Sequence, residues 1–201
     1  MNKVHQRFSD KFSSHWVKVK FYQEKPKDDA KRLRDVRFCE ATRKAVLGPI
    51  LLDKEGIICP GAQHVFGWRS LLKNKSLQDC CDKRDIQENT LKSMISRVPF
   101  FKKPFKYIGL NTDGVPDLVI SYIPPREVMS LTKIYNNKVN KNLDVSLRTI
   151  MAVCGGVAVK AYLEEKMCLS FGCDDSRKFA DMRMENLAVG IPKKLFKIFL
   201  D

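Results

Sequence analysis

Asp117-Leu-Val-Ile-Ser-Tyr-Ile123, closed by Pro124-Pro125, is the stretch on which the fold turns. It is apolar almost throughout and ends in prolines that cannot donate to a ladder, which reads as a buried β-strand. A partner strand stands near the start of the chain. In His15-Trp-Val-Lys-Val-Lys-Phe-Tyr-Gln-Glu24, the residues Trp16, Val17, Val19 and Phe21 are interleaved with Lys18 and Lys20, and Pro26 follows. That period of two gives one dry and one wet face.

Working outward, each strand leads into a similar series of elements. After the first, the polar stretch Lys25 to Arg37 reads as a loop or a short surface helix. Cys39 then opens a short helix running to Leu47, stopped by Gly48-Pro49. Ile50-Leu-Leu52 and Ile57-Ile-Cys59 flank Asp53-Lys-Glu-Gly56, a hairpin pattern, and Cys59-Pro60 enters a helix closed by Gly67. After the second strand, Cys154 to Leu163 reads as a helix that begins at a cysteine, Met167 to Phe171 as a strand, and Cys173 to Ala180 as a helix beginning again at a cysteine. The tail Gly190 to Leu200 reads as an amphipathic helix with Pro192 near its start.

The order strand, Cys, helix, strand, Cys, helix therefore occurs twice, over residues 15–70 and 115–185, with a basic, mostly helical insert at 71–106. The step from Cys39 to Cys59 is 20 residues and that from Cys154 to Cys173 is 19. Identity between the halves is poor beyond the cysteines, so chance recurrence stands beside the internal-repeat reading. The pattern predicts an α+β (or α/β) protein, one compact domain over 1–201, with two similar halves packed about a pseudo-twofold axis.

Composition narrows the function. The 201 residues suffice for a core without disulfide staples, and no apolar run approaches the roughly 20 residues of a membrane-spanning helix. The first 20 residues carry scattered Lys and Arg and no apolar core or small-residue cleavage site, so a cytoplasmic location is expected. The net charge of +14 meets one criterion for nucleic-acid binding. It is, however, spread along the chain, with no block of like charge and no base-stacking aromatic motif. A solvated Lys-rich surface is the plainest explanation; nucleic acid, an acidic partner protein or an anionic small molecule remain alternatives.

In a reducing compartment, seven cysteines, an odd number, point to thiols or metal ligands rather than disulfides. Cys39, Cys59, Cys154 and Cys173 each fall where a helix begins, beside unpaired N–H groups and the positive end of the helix dipole. That setting favours the thiolate, the form that coordinates metal. Cys168, inside an apolar strand, reads as core packing, and the adjacent Cys80 and Cys81 as ordinary thiols. No Cys-x-x-Cys pair is present, so spacing leaves metal binding and incidental thiols both open.

The segments Arg37-Phe-Cys-Glu-Ala41, Cys59-Pro-Gly-Ala62 with Gly67-Trp68, Pro116-Asp-Leu-Val119 leading to Pro124, Gly172-Cys-Asp-Asp-Ser-Arg177 and Gly190-Ile-Pro192 together resemble an uncharacterised prokaryotic family, domain of unknown function 169. The resemblance runs from Trp16 onward. It implies that the family's cysteine motifs fall on Cys39, Cys59, Cys154 and Cys173. A family common in anaerobic archaea and bacteria also suits an oxygen-sensitive cofactor. Asp174-Asp175 departs from the less acidic residues of that family, which speaks against an anion at that helix start.

Four thiolates suit an iron-sulfur cluster or tetrahedral zinc. Structural zinc usually takes closely spaced pairs, so a 4Fe-4S cluster is the preferred expectation, with Zn as the alternative. Such a cluster carries negative charge that Arg37, Arg43 or Arg177 would offset. His64 is a candidate to face the site, against the plainer role of a satisfied helix histidine. Glu40 and Asp174 follow cysteines as first-turn carboxylates or as acid–base groups, and Trp16 and Trp68 read as core or rim aromatics. No phosphate loop, dinucleotide fingerprint, metalloprotease helix or nucleophile elbow is present, so no reaction is singled out. Three readings follow: a redox or redox-sensing cluster protein with an acidic redox partner; a zinc-stabilised or metal-free basic binding module for nucleic acid or an acidic partner; and a cluster-associated enzyme acting on an anionic small molecule, whose pocket would hold His64, Arg177 and Glu40.

Overall fold

The computed structural model describes residues 4–73, 76–143 and 145–201. Residues 1–3, residues 74 and 75 of the expected insert and residue 144 of the second expected repeat lie outside the described residues. In chain order the elements are α1 (Val4–Phe12), β1 (Val17–Tyr22), β2 (Lys31–Arg32), α2 (Phe38–Lys44), β3 (Ile50–Asp53), α3 (Pro60–Val65), α4 (Ser76–Arg84), α5 (Glu88–Ser96), β4 (Tyr107–Leu110) and β5 (Leu118–Ile123). They continue with α6 (Pro125–Val139), α7 (Lys160–Glu164), β6 (Cys168–Ser170), α8 (Asp174–Phe179), β7 (Leu187–Pro192) and α9 (Phe196–Leu200). A π-helical turn, Cys154–Val159, runs directly into α7.

The strands form one mixed sheet in the order β2-β3-β4-β1-β5-β7-β6, so the fold is α+β. All pairings are antiparallel except β2 with β3. β1 and β5, the two strands read from sequence, are the central pair, with Val17, Lys18 and Val19 opposite Ile120, Val119 and Leu118. Outward from that seam the order is β1-β4-β3 on one side and β5-β7-β6 on the other, with matching antiparallel pairings. In each series a cysteine-bearing helical segment precedes the outer strand and a second follows it.

The near-continuous apolar run of β5 follows from burial on both faces. Leu118 and Ile120 join a core with Val17, Val19, Ile50, Leu52, Ile108 and Leu110, whereas Val119 and Ile123 join a second core beneath α1, α6 and α9. The first core lies against the cysteine-bearing segments. The second is rich in aromatic contacts: Phe8 of α1 meets Trp16 at 5.0 Å and Phe196 at 5.8 Å between ring centroids. Among the described residues no helix is long and apolar enough to cross a membrane.

Several expectations are corrected. Asp53–Gly56 does not join a hairpin. Asp53 Oδ1 accepts from the N–H groups of Glu55 (3.0 Å) and Gly56 (2.9 Å), so the turn chemistry holds. The following residue Ile57 then bridges Val36 in parallel, while β3 pairs with β4 and β2. The polar 25–37 stretch contains the short strand β2. The tail is strand before helix: β7 extends to Pro192 and the helical turns begin at Lys193. The wet face of β1 is also partly dry, since Lys18 is buried and burial depresses its pKa.

Candidate functional site

The four helix-start cysteines line one pocket of about 220 Å³. Cys39 is the second residue of α2, after the N-cap Arg37. Cys59 is the N-cap of α3, whose first residue is Pro60, a position where the missing N–H costs nothing. Cys173 is the N-cap of α8; its own N–H donates to Ser176 Oγ at 2.8 Å. Gly172 supplies the turn into it with φ +84, and a Cβ there would stand 2.5 Å from Ser176 Oγ. Cys154 also opens a helical stretch, but its first turn is π-helical and the residue before it, Val153, already has right-handed helical backbone angles. Just before it, Met151 takes φ +47 and packs its Cγ so close to Gly61 that a Cβ there would meet it at 2.7 Å. Two thiols come from each side of the β1–β5 seam.

The sulfurs of Cys39, Cys59 and Cys154 each have a backbone donor. The N–H of Glu40 points to Cys39, those of Ala62 and Gly61 to Cys59, and that of Gly155 to Cys154. Those are the groups the helix-start argument requires. They pull the thiol pKa values down, but the net shift is upward. Burial first, and then the neighbouring thiols, push Cys39 and Cys154 far up, and burial raises Cys59 to about 11. The sign differs from the sequence expectation because desolvation outweighs a few N–H dipoles. Burial and the mutual repulsion of ionised sulfurs therefore favour the neutral thiol at Cys39, Cys59 and Cys154.

One carboxylate belongs to the site that the sequence did not single out for it. Asp175 Oδ2 accepts from the Cys59 thiol at 3.9 Å and lies 3.4 Å from Arg37 Nε. The Arg37 guanidinium in turn stacks on the Phe179 ring at 3.5 Å. The position of Asp175, two residues after an N-cap cysteine, was the available signal. Cys80 is the other omission: it is half-buried and lines the same pocket from α4, whereas Cys81 is buried on the core side of that helix and Cys168 within β6. All seven thiols are free.

Of the flanking residues expected near the site, only Arg37 lines the pocket. Glu40 closes the start of α2, accepting from Arg37 N–H at 3.3 Å and pairing with Lys44 at 2.7 Å. His64 is buried; its Nδ1 accepts from Leu71 N–H at 3.3 Å and its ring stacks on Phe100. Arg177 donates to the carbonyls of Phe171, Met182, Arg183 and Asn186, holding the loop after α8. Arg43 reaches Asp181 at 3.6 Å on the surface. His64, Arg177 and Glu40 thus form no common pocket with the cysteines, because each is engaged elsewhere. Trp16 is core, and Trp68 is half-buried with Nε1 donating to Phe105 O at 2.6 Å.

Four thiols are the donor type that a soft metal takes. Among the described residues no group of three or more His, Cys, Asp or Glu side chains is arranged to hold a metal ion. A zinc tetrahedron needs four sulfurs at about 2.3 Å from a single point. The pocket contains no such preformed tetrahedron. A cubane places each sulfur on a different iron and so accepts thiols set around a wider space. Comparison with known proteins gives a family and no function: no curated protein and no solved structure matches the chain. The model of a family described as "Uncharacterised ArCR", domain of unknown function 169, matches residues 11–201, and the chain belongs to that family.

Proposed function

We propose that the protein binds a 4Fe-4S cluster through Cys39, Cys59, Cys154 and Cys173 and acts in electron transfer or redox sensing in an anaerobic cytoplasm. The observation that carries this reading is the convergence of four thiols, from four separate elements, on one pocket. Bound there, a cluster would supply one-electron redox chemistry with every iron ligated by cysteine. The chain's own part is to exclude water with the apolar walls around Phe38 and Val153, to aim backbone N–H groups at the sulfurs, and to place the Arg37–Asp175 pair beside Cys59. Hydrogen bonds to sulfur and nearby charge are the levers that set a cluster's potential. A basic surface suits an acidic redox partner by electrostatic steering.

Protein purified and kept without oxygen is expected to be brown, to contain iron and acid-labile sulfide in equal amounts, and to lose both in Cys39→Ser and Cys154→Ser variants. Colourless wild-type protein with neither iron nor sulfide would falsify the proposal. Stoichiometric zinc in its place would assign the same four ligands to a structural ion.

A further inference from the structure

The two sides of the sheet supply the cysteines in the same way, but they do not enclose the pocket in the same way. Between α8 and β7 the second side has only the helix-free connection 180–186. At the corresponding place the first side carries α4 and α5, which form a wall of the cysteine pocket. From α4, Asp79, Cys80, Lys83 and Arg84 line it; from α5, Leu91 and Ile95 do. The two sets have different characters. Leu91 and Ile95 are buried, and Ile150 and Met151 add further apolar surface. Lys83 and Arg84 have no ion pair or side-chain hydrogen bond among the described residues. The other pocket cation, Arg37, is engaged by Asp175. Asp79 offsets one of the two free charges and leaves a net cation on this wall.

A wall with an apolar stretch and unpartnered cations at its edge is the chemistry of an amphiphilic anion site. We propose that the α4–α5 side of the pocket binds a small organic anion, its oxyanion head on Lys83 and Arg84 and its apolar body on Leu91, Ile95 and Ile150. The total of about 220 Å³ is shared with whatever the cysteines hold, which limits that body to a short chain. The proposal extends the four-cysteine reading, because an anion held there lies beside the sulfur ligands. It gives a chemical reason for the insert: that side of the pocket selects what approaches the cysteines.

The test is calorimetric titration of the anaerobically purified full chain with sodium butyrate, inorganic phosphate and 1-butanol, with iron measured on the same samples. Butyrate carries head and body, phosphate the head alone, and butanol the body without charge. Butyrate is expected to bind at least tenfold more tightly than either. The double variant Lys83→Gln/Arg84→Gln is expected to weaken butyrate at least tenfold with unchanged iron content, which separates a lost anion site from a lost cluster. No butyrate binding to wild-type protein, equal binding to the double variant, or phosphate binding as tight as butyrate overturns the proposal. Iron-free wild-type protein that binds butyrate in the expected order would retire the cluster reading and leave the anion site standing.

Discussion

Gly172→Ala tests how the chain is led into the pocket. Gly172 has φ +84, and an L-residue in that left-handed region costs about 1–2 kcal/mol. The added Cβ would also sit 2.5 Å from Ser176 Oγ and 2.8 Å from Met182 Sδ. Ser176 is buried, and its hydroxyl both accepts from Cys173 N–H and donates to Cys173 O, each at 2.8 Å. Pushing the hydroxyl aside weakens two hydrogen bonds, each worth about 0.5–1.5 kcal/mol net. The expected destabilisation is therefore about 2–4 kcal/mol, or a fall in Tm of about 5–15 °C for a chain of this size. Urea unfolding under anaerobic conditions measures it. Ser176→Ala, which removes the hydroxyl and adds nothing, separates strain from contact. In that background Gly172→Ala should cost less than it does alone, because its nearest clash is gone. Since Cys173 is the next residue, the single variant should also retain less iron. A cost below about 0.5 kcal/mol, or strict additivity of the two substitutions, would show that the turn does not hold Cys173 in this way.

Two more expectations follow from groups outside the site. Burial lowers the His64 pKa, so the unfolded state takes up a proton that the folded state resists. Stability should then be full above the unfolded value of about 6.5 and fall as pH drops below it, by at most about 1.4 kcal/mol per pH unit. His64→Gln should flatten that part of a urea-midpoint profile between pH 7.5 and 5.5; an unchanged slope would mean that His64 does not titrate there. Cys168, buried in β6 with its thiol 3.6 Å from Lys166 O, lies outside the pocket. Cys168→Ala should cost about 1–2 kcal/mol in stability and keep the iron, unlike Cys39→Ser, and iron loss in it would move the site.

What was readable in the sequence was what local chemistry decides. The apolar run at 118–123 and the alternation at 17–22 became the central strands, and prolines and glycines marked the helix starts at Cys59 and Cys173. What escaped was decided by partners distant in the chain. β2 is Lys31-Arg32, with no strand composition, and exists because it pairs with Ile50 and Leu51. β4 is four residues with a glycine in the middle, held between β1 and β3. In α6 only Leu131 and Tyr135 are buried, too sparse a stripe to stand out in a polar segment. The convergence of the four cysteines followed from position at helix starts. The direction of their pKa shifts did not, because burial is a property of the assembled pocket. Nor did the role of Lys83 and Arg84, two of many basic residues until α4 is set against the pocket.

The position of β1 has a consequence for biosynthesis. It lies between β4 and β5, so one of its edges stays open until residues 118–123 have been made. During that interval Val17 and Val19 present unpaired backbone on the growing chain, beside an apolar face that has little cover. An exposed strand edge of this kind recruits other chains. A polypeptide released before β5 should therefore self-associate, whereas one extended through residue 123 has the strand that shields it. Stalled translation in that window is then a point of vulnerability, and shielding of the nascent edge there is where a chaperone would matter most.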